Sequence, residues 1–222
     1  MGDETCRNEA NKVMSFTRLP IFDSKQHLWG YELKHISRKN FSLTSEQENI
    51  ASGAYMALQE ILVKKKKIMM SFSGSDIIKH LPYALPPKRA VVKITETGNT
   101  NKELITAVKQ LKDDGYQIAV AWAMDYKQNK SIFDMKDIIC FDVSDLNKIK
   151  IAGLLHGNES DNVKLLANNI ATGERFEICR NSGFELYQGS FFKQPENLSV
   201  KKLSSSAASR FQLLKVIEQN DP

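Results

Sequence analysis

Ala90-Val91-Val92-Lys93-Ile94-Thr95, then Asn101 to Asp114, then Gly115 and Tyr116-Gln117-Ile118-Ala119-Val120-Ala121-Trp122-Ala123, is the stretch whose reading decides the fold. The first segment is a short apolar run and reads as a buried strand. The second places Leu104, Ile105, Val108 and Leu111 at helical intervals, and Gly115 ends that helix as glycine commonly does at a C-terminus. The third is again an apolar strand. Strands that are apolar throughout, separated by an amphipathic helix, predict a parallel sheet with both faces covered.

The same rhythm runs outward in both directions. Ile68 to Phe72 reads as a strand and Asp76 to His80 as a short helix; downstream, Ile138 to Val143 and Val163 to Ile170 read as strands. Thr172 to Asn181 reads as a helix ended by Ser182-Gly183, with a last strand from Phe184 to Gln188. Nearer the N-terminus, Phe16 to Asp23 and Leu28 to Leu33 flank a short polar turn and predict a hairpin. Ser45-Glu46-Gln47-Glu48 has capping-box spacing, and Ile50, Ala54, Ala57, Leu58, Ile61 and Leu62 continue it as a helix. With about seven such units and right-handed crossovers, closure into a barrel is more economical than an open sheet, although a doubly wound sheet also fits the pattern.

Composition narrows the setting. The chain has 222 residues, 41% hydrophobic and 26% charged, which suits one soluble globular unit with a real core. The excess of 31 Lys and Arg over 26 Asp and Glu is mild. Its densest run, Lys64 to Lys67, follows a helical pattern, where lysines complement a helix C-terminus, so a nucleic-acid surface is not expected. Cys6, Cys140 and Cys179 are odd in number and widely spaced, suggesting neither a disulfide framework nor a zinc site and fitting a reducing cytoplasm. The N-terminus lacks an apolar secretory region, and no apolar run approaches the roughly 18–20 residues of a membrane span.

Three segments resemble the EAL family, whose active members are cyclic di-GMP phosphodiesterases. Arg18-Leu19-Pro20-Ile21-Phe22-Asp23 followed by Gly30-Tyr31-Glu32-Leu33 is similar to the family's opening R-Q-P-I-x-D and Y-E-x-L, with Glu32 as the signature glutamate. Lys93-Ile94-Thr95-Glu96 sits where the family has E-L-T-E. Gly183-Phe184-Glu185-Leu186-Tyr187-Gln188-Gly189-Ser190-Phe191-Phe192 is similar to the closing G-F-x-x-x-Q-G-x-x-F. The resemblance implies an α/β fold, an EAL-type (β/α)8-like barrel with an irregular antiparallel first strand, over residues 16–196. Residues 1–15 are then expected to be a disordered leader, and 197–222 a linker with the start of a following helix. The Leu213-Leu214 helix resembles the subgroup in which an EAL-like domain precedes an HDOD domain.

Family members cleave the dinucleotide with a pair of Mg²⁺ or Mn²⁺ ions, hard cations that need oxygen ligands and preferably carboxylates. Of the pocket positions that the resemblance implies, Glu32 and Gln188 are retained. The asparagine aligns with Ser71, the first glutamate of E-L-T-E with Lys93, and the paired aspartates with Ala121 and Trp122. The lysine aligns with Cys140, two later acids with Asn168 and Ala171, and the arginine four residues after Glu32 with Ile36. Asp125 and Asp142 lie near two of these positions, but shifting the register to use them breaks the strand pattern. Lys93 would put a cation where a metal needs an anion.

Other candidate chemistry is weaker. His27, His35, His80 and His156 have no metal-ligand spacing, and Cys140 on an apolar strand reads as a buried small hydrophobe. Trp122 could fill an emptied pocket or stack on a guanine. Three functions remain open. The first is a catalytically inactive signalling module that binds an unidentified protein partner in bacterial cyclic di-GMP or motility circuits, without cofactor and in a homodimer. The second is a metal-independent cyclic di-GMP receptor. The third is a residual phosphodiesterase that uses Mg²⁺ or Mn²⁺.

Overall fold

The computed structural model describes residues 13–35, 66–96, 101–122, 126–145 and 162–201. It opens on an antiparallel hairpin of β1 (Val13–Asp23) and β2 (Leu28–His35). The Asp23 carboxylate accepts the N–H groups of Lys25 and His27, both at 2.9 Å, and Gln26 takes a φ of 60°. An aspartate that satisfies the backbone two and four residues ahead closes a tight turn locally.

The chain then alternates as β3 (Lys67–Ser73), α1 (Gly74–Ile78), β4 (Ala90–Glu96), α2 (Lys102–Asp113) and β5 (Gln117–Ala121). After these come α3 (Tyr126–Phe133), β6 (Ile138–Asp142), β7 (Lys164–Asn168), α4 (Gly173–Asn181), β8 (Leu186–Tyr187) and β9 (Glu196–Lys201). Strands pair in the order β2-β3-β4-β5-β6-β7-β8-β1, and β1 pairs back onto β2, so eight strands close a barrel. β1 runs antiparallel to both neighbours, whereas β2 through β8 are mutually parallel. The predicted barrel with its irregular antiparallel first strand is the fold found.

Caps fix the helices. Asn101 caps α2 by accepting the Leu104 N–H at 2.8 Å, and Leu104, Val108 and Leu111 form its buried stripe. Gly115 ends it at a φ of +91°, a conformation that favours glycine. Thr172 caps α4 by accepting the Arg175 N–H at 3.2 Å. Among the described residues no helix is long and apolar enough to cross a membrane.

Strand alternation divides the core in two. Ile21, Met69, Val91, Ala119, Ile138, Cys140, Leu166 and Leu186 pack inside the barrel. The other parity, including Ile68, Val92, Val120, Phe141 and Tyr187, packs outward under the helices. Asp137, just before β6, ties this outer layer to a strand. Its carboxylate accepts the N–H of fully buried Ile118 and the Lys112 ammonium, both at 2.7 Å. Asp137→Ala leaves that N–H without a partner and is expected to cost about 2 kcal/mol in urea unfolding.

Both ends of the barrel differ from the sequence reading. The leader was expected to reach residue 15 and the linker to begin at 197, yet β1 starts at Val13 and pairs through Arg18 with β9, Val13 opposite Lys201 and Arg18 opposite Glu196. The polar-apolar alternation of Asn197-Leu198-Ser199-Val200 is a strand pattern hidden in a mostly polar segment. The helices read over 45–62 and 210–218 lie outside the described residues. The α3 helix and a 3-10 turn at Leu81–Ala84 were not expected.

Candidate functional site

Parallel strands direct their C-terminal ends to one mouth, and the inward parity decides which side chains line it. Met69 leads to Ser71, Val91 to Lys93, Ala119 to Ala121, Ile138 to Cys140 and then Asp142, Leu166 to Asn168, and Leu186 to Gln188. Seven of the sequence-derived positions, Glu32, Ser71, Lys93, Ala121, Cys140, Asn168 and Gln188, therefore share one inward row or its rim. Ile36 lies outside the described residues, as does Asp125, and Ala171 sits in the loop after β7.

Trp122 requires a correction. The sequence left it a choice between filling the pocket and stacking on a guanine, but it follows inward Ala121 and so belongs to the outward parity. Its ring stacks on Phe141 at 5.2 Å and 20°, against the outer core.

Glu32 is completely buried, and its Oε1 accepts from the Lys93 ammonium at 2.8 Å. The Glu32 Oε2 has no hydrogen bond; the mostly exposed Lys34 ammonium stands 3.9 Å from it. Burial alone would pull the Lys93 pKa down, but the Glu32 charge, assisted by Cys140 and by the hydrogen bond, outweighs it and holds Lys93 above its ordinary value. Cys140, beside this pair, is pushed up to about 12 by burial, with Lys93 opposing and Glu32 adding to the rise. It is a neutral thiol at physiological pH, not an activated nucleophile.

The remaining polar atoms are partly unsatisfied. The buried Asn168 Oδ1 and Gln188 Nε2 have no hydrogen-bond partner, which leaves one acceptor and one donor facing the interior. Gln188, Gly189, Ser190, Asn169, Ala171, Lys193 and the β1 residues Leu19 and Pro20 line a cavity of about 310 Å³ at this mouth. Gly189 permits the wall. A Cβ there would stand 2.1 Å from the Ile170 carbonyl oxygen.

As ligands for a pair of hard divalent cations, these groups do not fit. Among the described residues the only inward carboxylate at the base of the mouth already carries an ammonium, and its neighbours are Ala121, a neutral thiol and amides. Asp142 stands exposed on the rim beside Asn168, its Oδ1 accepting the Ser144 N–H at 3.0 Å. Among the described residues no three His, Cys, Asp or Glu side chains cluster as a metal site. Lys34, Asn169 and Lys193 were missed as site residues. Lys34 was legible, being two residues beyond Glu32 on the same face; Asn169 owes its place to a φ of 64° that composition does not announce.

No family model matches the chain. It is similar to the cyclic di-GMP phosphodiesterase CdgJ of Vibrio cholerae, at 23% identity over 211 residues that cover 91% of this chain and 49% of that protein. The chain thus spans about half the length of that relative. Among solved structures, BlrP1 of Klebsiella pneumoniae, in its manganese and cyclic di-GMP complex, superposes with a TM-score of 0.69 at 16% identity, over 90% of this chain and 59% of that one. A standalone EAL protein of Vibrio cholerae, in its cyclic di-GMP-bound form, gives 0.62 at 20% identity, over 82% and 92%. The chain therefore has the EAL-type barrel fold.

Proposed function

We propose that this barrel is a catalytically inactive signalling module, acting through contact with a protein partner in cyclic di-GMP and motility regulation. One observation carries the reading: the Lys93 ammonium occupies the Glu32 carboxylate at 2.8 Å, at the end of the barrel where the EAL resemblance implies a metal pair. A dication brought to Glu32 would have to displace a cation held in a half-dry site, and among the described residues the neighbouring strand ends add only Asp142, exposed on the rim. The cyclic di-GMP context rests on the likeness to CdgJ and to barrels solved with that dinucleotide.

A second reading, a metal-independent cyclic di-GMP receptor, is favoured by the unpartnered Nε2 of Gln188, which lines the 310 Å³ cavity, and by the unpartnered Oδ1 of Asn168 at the end of β7. Buried polar groups without partners cost stability unless something pairs with them. Incubation of the chain with cyclic di-GMP and Mn²⁺, followed by chromatography, tests both. The expected result is no linear dinucleotide. Retained intact ligand selects the receptor reading, and a linear product that disappears in Glu32→Ala overturns inactivity.

A further inference from the structure

The opposite end of the barrel holds charge that the mouth does not use. Met69 and Leu166 point into the barrel, so Lys67 and Lys164, two residues earlier on β3 and β7, return to the same inward face at its floor. In the closed ring, β3 and β7 are separated by three strands on either side, β4, β5 and β6 one way and β8, β1 and β2 the other, so the two lysines enter from opposite walls. Gln117 stands between them on β5, two residues before inward Ala119, and its buried Oε1 has no partner.

The charge of Lys164 reaches Lys67 across this floor. Burial is the main reason why Lys67 titrates below its ordinary value; Asp137 works against this and Lys164 adds to it. Among the described residues the Lys67 ammonium donates one hydrogen bond, to the Lys88 carbonyl at 3.0 Å, leaving two donors. Lys164 has no hydrogen-bond acceptor or carboxylate among the described residues. Asp137, the one acid that acts on Lys67 among the described residues, also accepts from Lys112 and Ile118.

We propose that the floor of the barrel is an oxyanion site, in which a phosphate group sits between Lys67 and Lys164 and takes a hydrogen bond from the Gln117 side-chain amide. A half-turn of that amide exchanges the unpartnered oxygen for its NH₂ donor. A phosphate dianion matches two converging cations in charge, and charge-assisted bonds in a partly dry site are the strong ones. The site lies at the other end of the barrel from Glu32 and Lys93, so it stands or falls independently of the mouth.

The test is titration of the full 222-residue chain with inorganic phosphate, pyrophosphate and acetate at matched ionic strength. Amide NMR shifts at Lys67, Gln117 and Lys164, together with thermal unfolding, give the readout. Phosphate and pyrophosphate are expected to shift those amides and raise the unfolding temperature, with affinity about tenfold lower in Lys164→Met. Lys88→Met, which leaves the Lys88 carbonyl in place, should bind as the parent does. Equal binding by the parent and Lys67→Met/Lys164→Met overturns the site, and acetate matching phosphate overturns the phosphoryl assignment. Vesicles rich in phosphatidylglycerol that bind the parent but not the double variant, while free phosphate and pyrophosphate leave the parent unchanged, would assign these cations to a membrane surface instead and also overturn it. Without any anion, Lys164→Met removes a like charge and should move the Lys67 titration upward; no movement means that the two groups do not converge.

Discussion

Replacing Lys93 by methionine is expected to lower the unfolding free energy by about 3–5 kcal/mol, the usual cost of stripping a buried charge of its partner. Glu32 is fully buried and Lys93 is its only hydrogen-bond donor among the described residues; Lys34, at 3.9 Å from the other oxygen, is mostly in solvent. Against a typical domain stability of about 5–15 kcal/mol, the loss is large. Glu32→Leu/Lys93→Met removes both charges and should recover most of it, because a buried ion pair is seldom more stable than apolar groups of similar volume. Urea unfolding of the parent, the single variant and the double variant measures both terms. The pair also predicts an alkaline limit. The folded pKa of Lys93 lies above its ordinary 10.5, so its contribution is complete below that value and is lost as pH rises through the folded pKa. The double variant should lack this alkaline component.

Much of the fold was legible because the barrel is built from local signals. The α2 stripe of Leu104, Val108 and Leu111, the Asn101 and Thr172 caps and the Gly115 and Gly183 stops are each written within one turn of chain. Closure was only inferable, since an open doubly wound sheet obeys the same pattern and the β1–β8 pairing on which closure depends joins residues far apart in the chain. β9 escaped because an edge strand needs a partner on one side only, so its composition stays polar. β8, two residues long, carries almost no pattern of its own; the backbone bonds of Glu185 to Leu165 and of Gln188 to Ala167 set it in place.

The mouth was legible to the extent that parity is. Counting by twos from inward Met69, Val91, Ala119, Ile138 and Leu166 reaches Ser71, Lys93, Ala121, Cys140 and Asn168. The same count, applied to Trp122, would have sent it to the outer layer, where it meets Phe141. That Lys93 would seek Glu32 needed the closed ring: the two lie 61 residues apart, on strands separated by β3, and only the inward pleat brings their side chains together. Nor does any sequence signal say that the Gln188 and Asn168 side chains end without partners, because this depends on the surrounding walls.

The cavity wall depends on one missing methyl group. Gly189→Ala would place a Cβ 2.1 Å from the Ile170 oxygen, 2.4 Å from its nitrogen and 2.7 Å from its carbonyl carbon. All three are backbone atoms, so no rotamer change relieves the overlap. The backbone cannot yield cheaply, because Ile170 donates to the Gln188 carbonyl at 3.1 Å and accepts the Phe191 N–H at 3.1 Å, and both bonds join the loop after β7 to the turn after β8. The expected cost is about 3 kcal/mol, the upper end of ordinary overpacking. Gly115→Ala serves as the comparison. Its Cβ would meet nothing within 4 Å, so only the φ of +91° penalises it, by about 1 kcal/mol. Urea midpoints should therefore rank Gly189→Ala below Gly115→Ala, and faster hydrogen exchange at the Ile170 and Phe191 amides should appear in Gly189→Ala alone. If the two variants lose stability equally and those amides stay protected, the close approach of the two backbones is not what shapes the mouth, and the position of Gln188 must be set by other contacts.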